Sequence, residues 1–236
     1  MERRVVDAGG RAVVIPMIEI LPPESWSDCD GMLERLDTFD AAAFASVNAV
    51  ESFCSRALAN GKSLQGRFPS GVLVVGRATA ESAKAFGLPV VALRGASTGR
   101  GLGAAAGEGF AGVTVLLPCG NLARTELPDT LRRAGAHVTT VVVYRTAPPP
   151  RAVLANAAER VRRGEFDVVT FASPSAVRNF LSAFAPDEIP SLRRWCAVAV
   201  IGPTTASALH SFGIEPDIVA MDASGSSFVE SIIGYF

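Results

Sequence analysis

Basic excess is missing from this chain: 22 lysines and arginines stand against 23 acidic residues, a formal net charge of −1. A nucleic-acid partner normally calls for a clustered basic surface, so none is expected. Lysine itself is scarce, with only Lys62 and Lys84. The remaining cations are arginines, which can grip carboxylates through paired bonds, although biased codon usage is the simpler cause. Cysteine is equally sparse. Cys29, Cys54, Cys119 and Cys196 lie far apart, with no CxxC or Cys/His cluster, which fits reduced buried thiols and neither a disulfide framework nor a zinc site. His137 and His210 are the only histidines, placed by the pattern on helix ends or faces without partners at metal spacing, so no metal is expected. No run of 18 apolar residues occurs, and MERRVVDAGG carries no long apolar stretch behind its arginines. The expectation is therefore a cytoplasmic protein without a membrane partner. Walker A and CxxC motifs are absent too, leaving nucleotide-driven and redox chemistry without a motif.

What the chain does contain is a repeat. FASVNAVESF (44 to 53) returns as FASPSAVRNF (171 to 180), 127 residues later. VGRATAESAKAFGL (75 to 88) answers IGPTTASALHSFGI (201 to 214), and AGGRAVVIPMIEILPP (8 to 23) answers AGAHVTTVVVYRTAPP (134 to 149), both at an offset of 126. Three matches in one order imply a tandem duplication with a domain-sized period. At 236 residues and 49% hydrophobic, the chain can supply two cores.

Short apolar runs alternate with helical patterns: VVIPMIEI (13 to 20), AAAFAS (41 to 46), GVLVVG (71 to 76), VTVLLP (113 to 118), VTTVVVY (138 to 144), FDVVTFAS (166 to 173), VAVIG (198 to 202) and DIVA (217 to 220). That alternation predicts an α/β protein of two similar flavodoxin-like or Rossmann-like domains with parallel sheets. The matched proline-bearing segments read as crossings between domains. The expected partition is residues 1–16 with 150–236 as one discontinuous domain, 24–142 as an inserted one, and 17–23 with 143–149 as a two-stranded linker. Two crossings predict a hinged body with a ligand cleft. The offset also places the counterpart of the strand at Val113 near position −13, so the first copy is expected to begin inside a helix, its opening strand lying upstream of Met1.

The repeated turns are candidate sites. In FASPSAV a strand enters Ser173, a natural N-cap, followed by Pro174 in the first helical turn and Ser175. In IGPTTASAL a strand enters Gly202 before Thr204 and Thr205 open a helix. Their first-copy counterparts hold Ser46, Asn48 and Thr79. All lie where parallel strands end and helices begin, the ligand-binding edge of an open α/β sheet and a favourable place for anions. Any α/β protein needs caps, so one turn alone carries no ligand; two in each domain suggest an anion. GRGLGA (99 to 104) meets a loose dinucleotide pattern, but Arg94 to Thr98 separate it from the preceding strand and its repeat partner near ASGSSFV (223 to 229) is no such turn.

The set NAV (48 to 50), VGRATA (75 to 80), VYRT (143 to 146), FASPSAV (171 to 177) and IGPTTASAL (201 to 209), in that order along nearly the whole chain, resembles the uroporphyrinogen-III synthase family. The resemblance implies two α/β domains joined by a two-stranded ladder. It also implies the reaction: hydroxymethylbilane, a linear tetrapyrrole with eight carboxylates, loses its terminal hydroxyl to give an azafulvene. The last ring attacks through its substituted carbon, a spiro intermediate forms, that ring inverts, and the macrocycle closes without metal or organic cofactor. The substrate also cyclises spontaneously, without inversion, to isomer I. Suppressing that product about 100-fold requires only about 2.7 kcal/mol of differential barrier, which orientation in a site can supply.

Carried over by position, Tyr144 in VYRT matches the tyrosine proposed to help the hydroxyl leave. Ser173, Pro174, Ser175, Gly202, Thr204 and Thr205 match the substrate-facing turns of one domain, and Thr79, Ser46 and Asn48 those of the other, with Ala45 standing where the family commonly has threonine. The family implies a monomer in transient contact with the upstream deaminase that makes its unstable substrate. The rivals are a non-catalytic two-domain module binding a tetrapyrrole or other anion, and an inactive synthase shortened at its start.

Overall fold

In the computed structural model, residues 1–91, 110–222 and 224–236 are described. GRGLGA (99 to 104) lies outside them. The helices are α1 (Glu2–Asp7), α2 (Ser27–Glu34), α3 (Val47–Ala59), α4 (Arg77–Ala85), α5 (Glu126–Arg133), α6 (Arg151–Arg162), α7 (Pro174–Leu181), α8 (Leu192–Trp195), α9 (Pro203–His210) and α10 (Gly225–Ile233). The strands are β1 (Glu19–Leu21), β2 (Ala41–Phe44), β3 (Val72–Val74), β4 (Thr114–Gly120), β5 (His137–Ala147), β6 (Val168–Phe171), β7 (Ala197–Val200) and β8 (Ile218–Val219). The chain divides into two compact units, Ile20–Thr146 and Met1–Glu19 with Ala147–Phe236.

The Ile20–Thr146 unit is built on a sheet in the order β1-β5-β4-β2-β3, and the β2–β3, β2–β4 and β4–β5 pairs are parallel. Every residue of β2 is buried, and its side chains alternate between two cores. Ala42 and Phe44 join Val72, Val74 and Leu116 beneath α3 and α4, while Ala41 and Ala43 join Leu73, Val115 and Leu117 beneath Leu127 and Leu131 of α5. A period-two strand covered on both faces reads as a continuous apolar run, which is why AAAF carries no polar alternation. Phe44 and Phe53, both fully enclosed, meet with ring centroids 6.0 Å apart. Asp40 ties the starts of β2 and β4 together: its carboxylate accepts from the Thr114 hydroxyl at 2.7 Å and the Thr114 amide at 2.8 Å. Those two bonds hold its carboxyl below the usual aspartate range.

The other unit has a smaller parallel sheet, β6-β7-β8. Its strands again alternate, Val198 and Val200 facing Val177, Phe180 and Leu209, with Ala199 turned toward Phe228 of α10. An aromatic row runs from Phe171 through Phe180 and Phe184 to Trp195, with centroid spacings of 5.4, 5.2 and 6.0 Å. Among the described residues β6 has one strand neighbour, β7.

Two local expectations are corrected. The run from Val13 to Ile20 is a strand only from Glu19 onward, since Pro16 has no N–H to offer a ladder. His137 opens β5 and is not on a helix. His210 ends α9, where its Nε2 lies 3.0 Å from Glu215. No helix of the described residues is long and apolar enough to cross a membrane. Burial pushes the thiols of Cys29 and Cys196 up to about 11 and that of Cys54 to about 12, and all four cysteines are free.

Candidate active site

The carboxyl ends of β2, β3, β4 and β5 open onto a cavity of about 580 Å³, lined by Ser46, Val75, Gly120, Arg124 and Tyr144 among others. Ser46 reaches it because β2 stops at Phe44 and the backbone stays extended at Ser46, whose hydroxyl accepts from the Ala49 N–H at 3.2 Å and caps α3. That hydroxyl also shares a hydrogen bond of 3.2 Å with the Tyr144 phenol, 98 residues away. Tyr144 is half-buried on β5 and packs against the Phe44–Phe53 core. The site thus pairs one phenol with one cap hydroxyl above an apolar floor. A phenol so held can give a hydrogen bond, or a proton, to an oxygen departing from a bound molecule.

Thr79 does not line this cavity. It is the third residue of α4, whose N-cap is Gly76, and is 5% exposed. Asn48, in the first turn of α3, is half-buried and has no side-chain partner among the described residues.

In the other unit the turn residues gather where β6 and β7 end. Ser173 caps α7, accepting from the Ala176 N–H at 3.2 Å, and shares a second hydrogen bond of 3.0 Å with Ser175; Pro174 fills the first helical position. Gly202 precedes α9, whose first residues are Pro203, exposed Thr204 and Thr205. α7 and α9 pack side by side. Thr205 is 3% exposed, and like Thr79 its hydroxyl has no hydrogen bond among the described residues. No fully enclosed side-chain oxygen or nitrogen there lacks a partner, so the little surface each threonine keeps includes its hydroxyl. A nearly buried hydroxyl left free is costly unless something pairs with it. At a helix start that partner can be water or a hydrogen-bonding ligand.

A family model described as uroporphyrinogen-III synthase HemD matches residues 1–230. The chain belongs to the uroporphyrinogen-III synthase family. A uroporphyrinogen-III synthase of Chlorobaculum parvum is 28% identical over 235 residues, 98% of this chain and 91% of the relative. That of Synechococcus elongatus is 29% identical over 203 residues, 84% and 76% respectively. The fold agrees with a crystal structure of a mutant uroporphyrinogen III synthase from Thermus thermophilus, at a TM-score of 0.62 and 20% identity, covering 99% of this chain and 91% of that one.

Uroporphyrinogen-III synthase motifs led the sequence reading to the phenol and the helix starts, but not to the cavity that joins Ser46 to Tyr144. Gly120 was missed outright, although a lone glycine ending an apolar strand signals a bulge or a close approach. Ser224 was missed as well: it caps α10 and shares a 3.1 Å bond with Ser226, repeating the arrangement of Ser173 and Ser175. The spacing S-x-S before an apolar helix is visible in both stretches.

Proposed function

We propose that this chain works as a uroporphyrinogen-III synthase, taking hydroxymethylbilane and closing it to uroporphyrinogen III. The observation that carries the reading is the family match over residues 1–230. The terminal C–O bond of the bilane breaks, the oxygen leaves as water, and the azafulvene so formed is attacked by the last ring at its substituted carbon. Ring inversion and closure follow. The net change is loss of one water, so no oxidant or reductant is required, and the reaction class is a hydro-lyase without metal or organic cofactor.

Tyr144 is the group assigned to the departing hydroxyl. The phenol lines the cavity with its ring backed by protein and its oxygen steadied by Ser46. The free hydroxyls of Thr79 and Thr205, with Ser173, Pro174, Ser175, Gly202, Thr204 and Asn48, are assigned to the substrate's carboxylates and pyrrole N–H groups. Backbone amides at the starts of α3, α4, α7 and α9 add donors suited to anions. Fixing one conformation is the main task, because the competing closure to isomer I needs no enzyme.

The two units are further proposed to be copies of one ancestral domain, forming a two-domain monomer joined through the strands around Ile20 and Thr146. Support comes from matched parts: Ser46 and Ser173 are caps of nearly the same backbone geometry, and Val72–Val74 and Val198–Val200 are strands 126 residues apart. We place the protein in the cytoplasm, receiving its unstable substrate by brief contact with the deaminase that makes it. The non-catalytic binding module is not favoured, because the family and its relatives carry the enzyme's name.

The test feeds freshly generated hydroxymethylbilane to the purified chain, oxidises the products and separates uroporphyrin isomers I and III. Mainly isomer III is expected. An isomer ratio equal to the protein-free blank contradicts the proposal.

A further inference from the structure

β4 and β5 do not run in register to their ends. Cys119 lies opposite Val142, but the next residue, Gly120, lies opposite Tyr144, so Val143 is an extra residue on β5. Bulges are rare between parallel strands, and where they occur they re-aim a side chain or end the pairing. Here the effect is visible in the packing. Val141 and Val143 face the core beneath α3, and strict alternation would turn Tyr144 the other way, yet Tyr144 packs against that same core.

Gly120 makes room for the re-aimed ring. A Cβ at this position would lie 2.6 Å from Tyr144 Cζ, 2.7 Å from Cε2 and 2.9 Å from Oη. Its backbone is not in the left-handed region that favours glycine. Conformational freedom is therefore not why glycine stands here; the phenol ring fills the space a side chain would take. Asn121 completes the seat: its N–H donates to the Tyr144 carbonyl at 3.1 Å, and its Oδ1 accepts from the Thr146 N–H at 2.9 Å. The strand is clipped just past the bulge, at Tyr144 and Thr146, while Ser46 holds the phenol oxygen from the other end.

We infer that Gly120 is a positioning residue, which together with the β5 bulge and the Asn121 clip sets the Tyr144 phenol for the reaction. This inference rests on the reading of Tyr144 given above. The ring, being the far end of a side chain, gives way before the backbone does, so Gly120→Ala should fold with its phenol displaced. A displacement of about 1 Å in a reacting group can lower a rate about 100-fold.

The chain has only two tyrosines, and Tyr235 lies in the other unit, half exposed near the C-terminus. Tyr235→Phe therefore leaves Tyr144 as the sole site for 3-fluorotyrosine, whose 19F resonance reports the ring's surroundings independently of turnover. In that background Gly120→Ala should shift the resonance and lower kcat for isomer III about 10- to 100-fold, with KM little changed. An unmoved resonance in a folded Gly120→Ala protein overturns the inference whatever the rate. A moved resonance with an unchanged rate upholds the seat and removes Tyr144 from the mechanism instead. If Gly120→Ala fails to fold, the pair Gly120→Ala with Tyr144→Ala decides. With no ring to displace, it should melt where Tyr144→Ala alone does; a double variant that also fails to fold overturns the inference.

Discussion

Ser46 and Ser173 occupy matching places in the two units and cap their helices alike, yet their hydroxyls turn to different partners, the Tyr144 phenol in one case and Ser175 in the other. The same contrast runs through the neighbouring turns. Gly76 sits at φ 83°, open only to glycine, whereas Gly202 is extended at φ 170°. Thr79 and Thr205, by contrast, are nearly identical: buried third helical residues with a free hydroxyl. β2 is paired on both sides and buried throughout, while among the described residues β6 pairs with β7 alone and is only half-buried along most of its length. Both units thus place capped helix starts where their parallel strands end, and the phenol stands in only one of them.

The largest effects should come where the two units are most alike. Phe44→Ala and Phe171→Ala each remove a fully enclosed ring and should cost about 3–5 kcal/mol, read by denaturant unfolding. Phe44→Ala should lie at the upper end, since β2 has packed neighbours on both sides. Next come the glycines, where the units should part. Gly76→Ala forces a side chain into a backbone region reserved for glycine and should cost about 1–3 kcal/mol. Gly202→Ala should leave the melting temperature nearly unchanged, because its added Cβ would meet open space; equal losses at both sites would break the contrast.

The caps follow. Ser46→Ala and Ser173→Ala should each lose about 1 kcal/mol of stability, but only Ser46→Ala should also lower kcat for isomer III, having released the phenol. Smallest in stability are Thr79→Val and Thr205→Val. Each replaces an unpaired hydroxyl by a methyl group and should change stability by less than about 1 kcal/mol. Both should nevertheless raise KM for hydroxymethylbilane; an unchanged KM would mark them as packing residues only.

Much of this was legible in the sequence because it follows from local chemistry. Continuous apolar runs such as AAAF predict strands buried on both faces, and S-P before an apolar helix predicts a cap. Val13 to Ile18 misled because a β-branched run outweighed one proline. The bulge opposite Gly120 was not legible: register depends on how two strands 24 residues apart pack, and no single-strand pattern records a skipped residue. The Ser46–Tyr144 bond is likewise a tertiary event, although each partner was singled out by its own motif.

The most direct measurement compares the initial rate and isomer ratio of the parent chain with those of Tyr144→Phe, alongside their melting curves. Mainly isomer III is expected from the parent, and from Tyr144→Phe an equally stable protein whose isomer III rate is at least about 100-fold lower, the usual contribution of a positioned acid. Isomer III formed as fast by Tyr144→Phe as by the parent would contradict the role assigned to Tyr144.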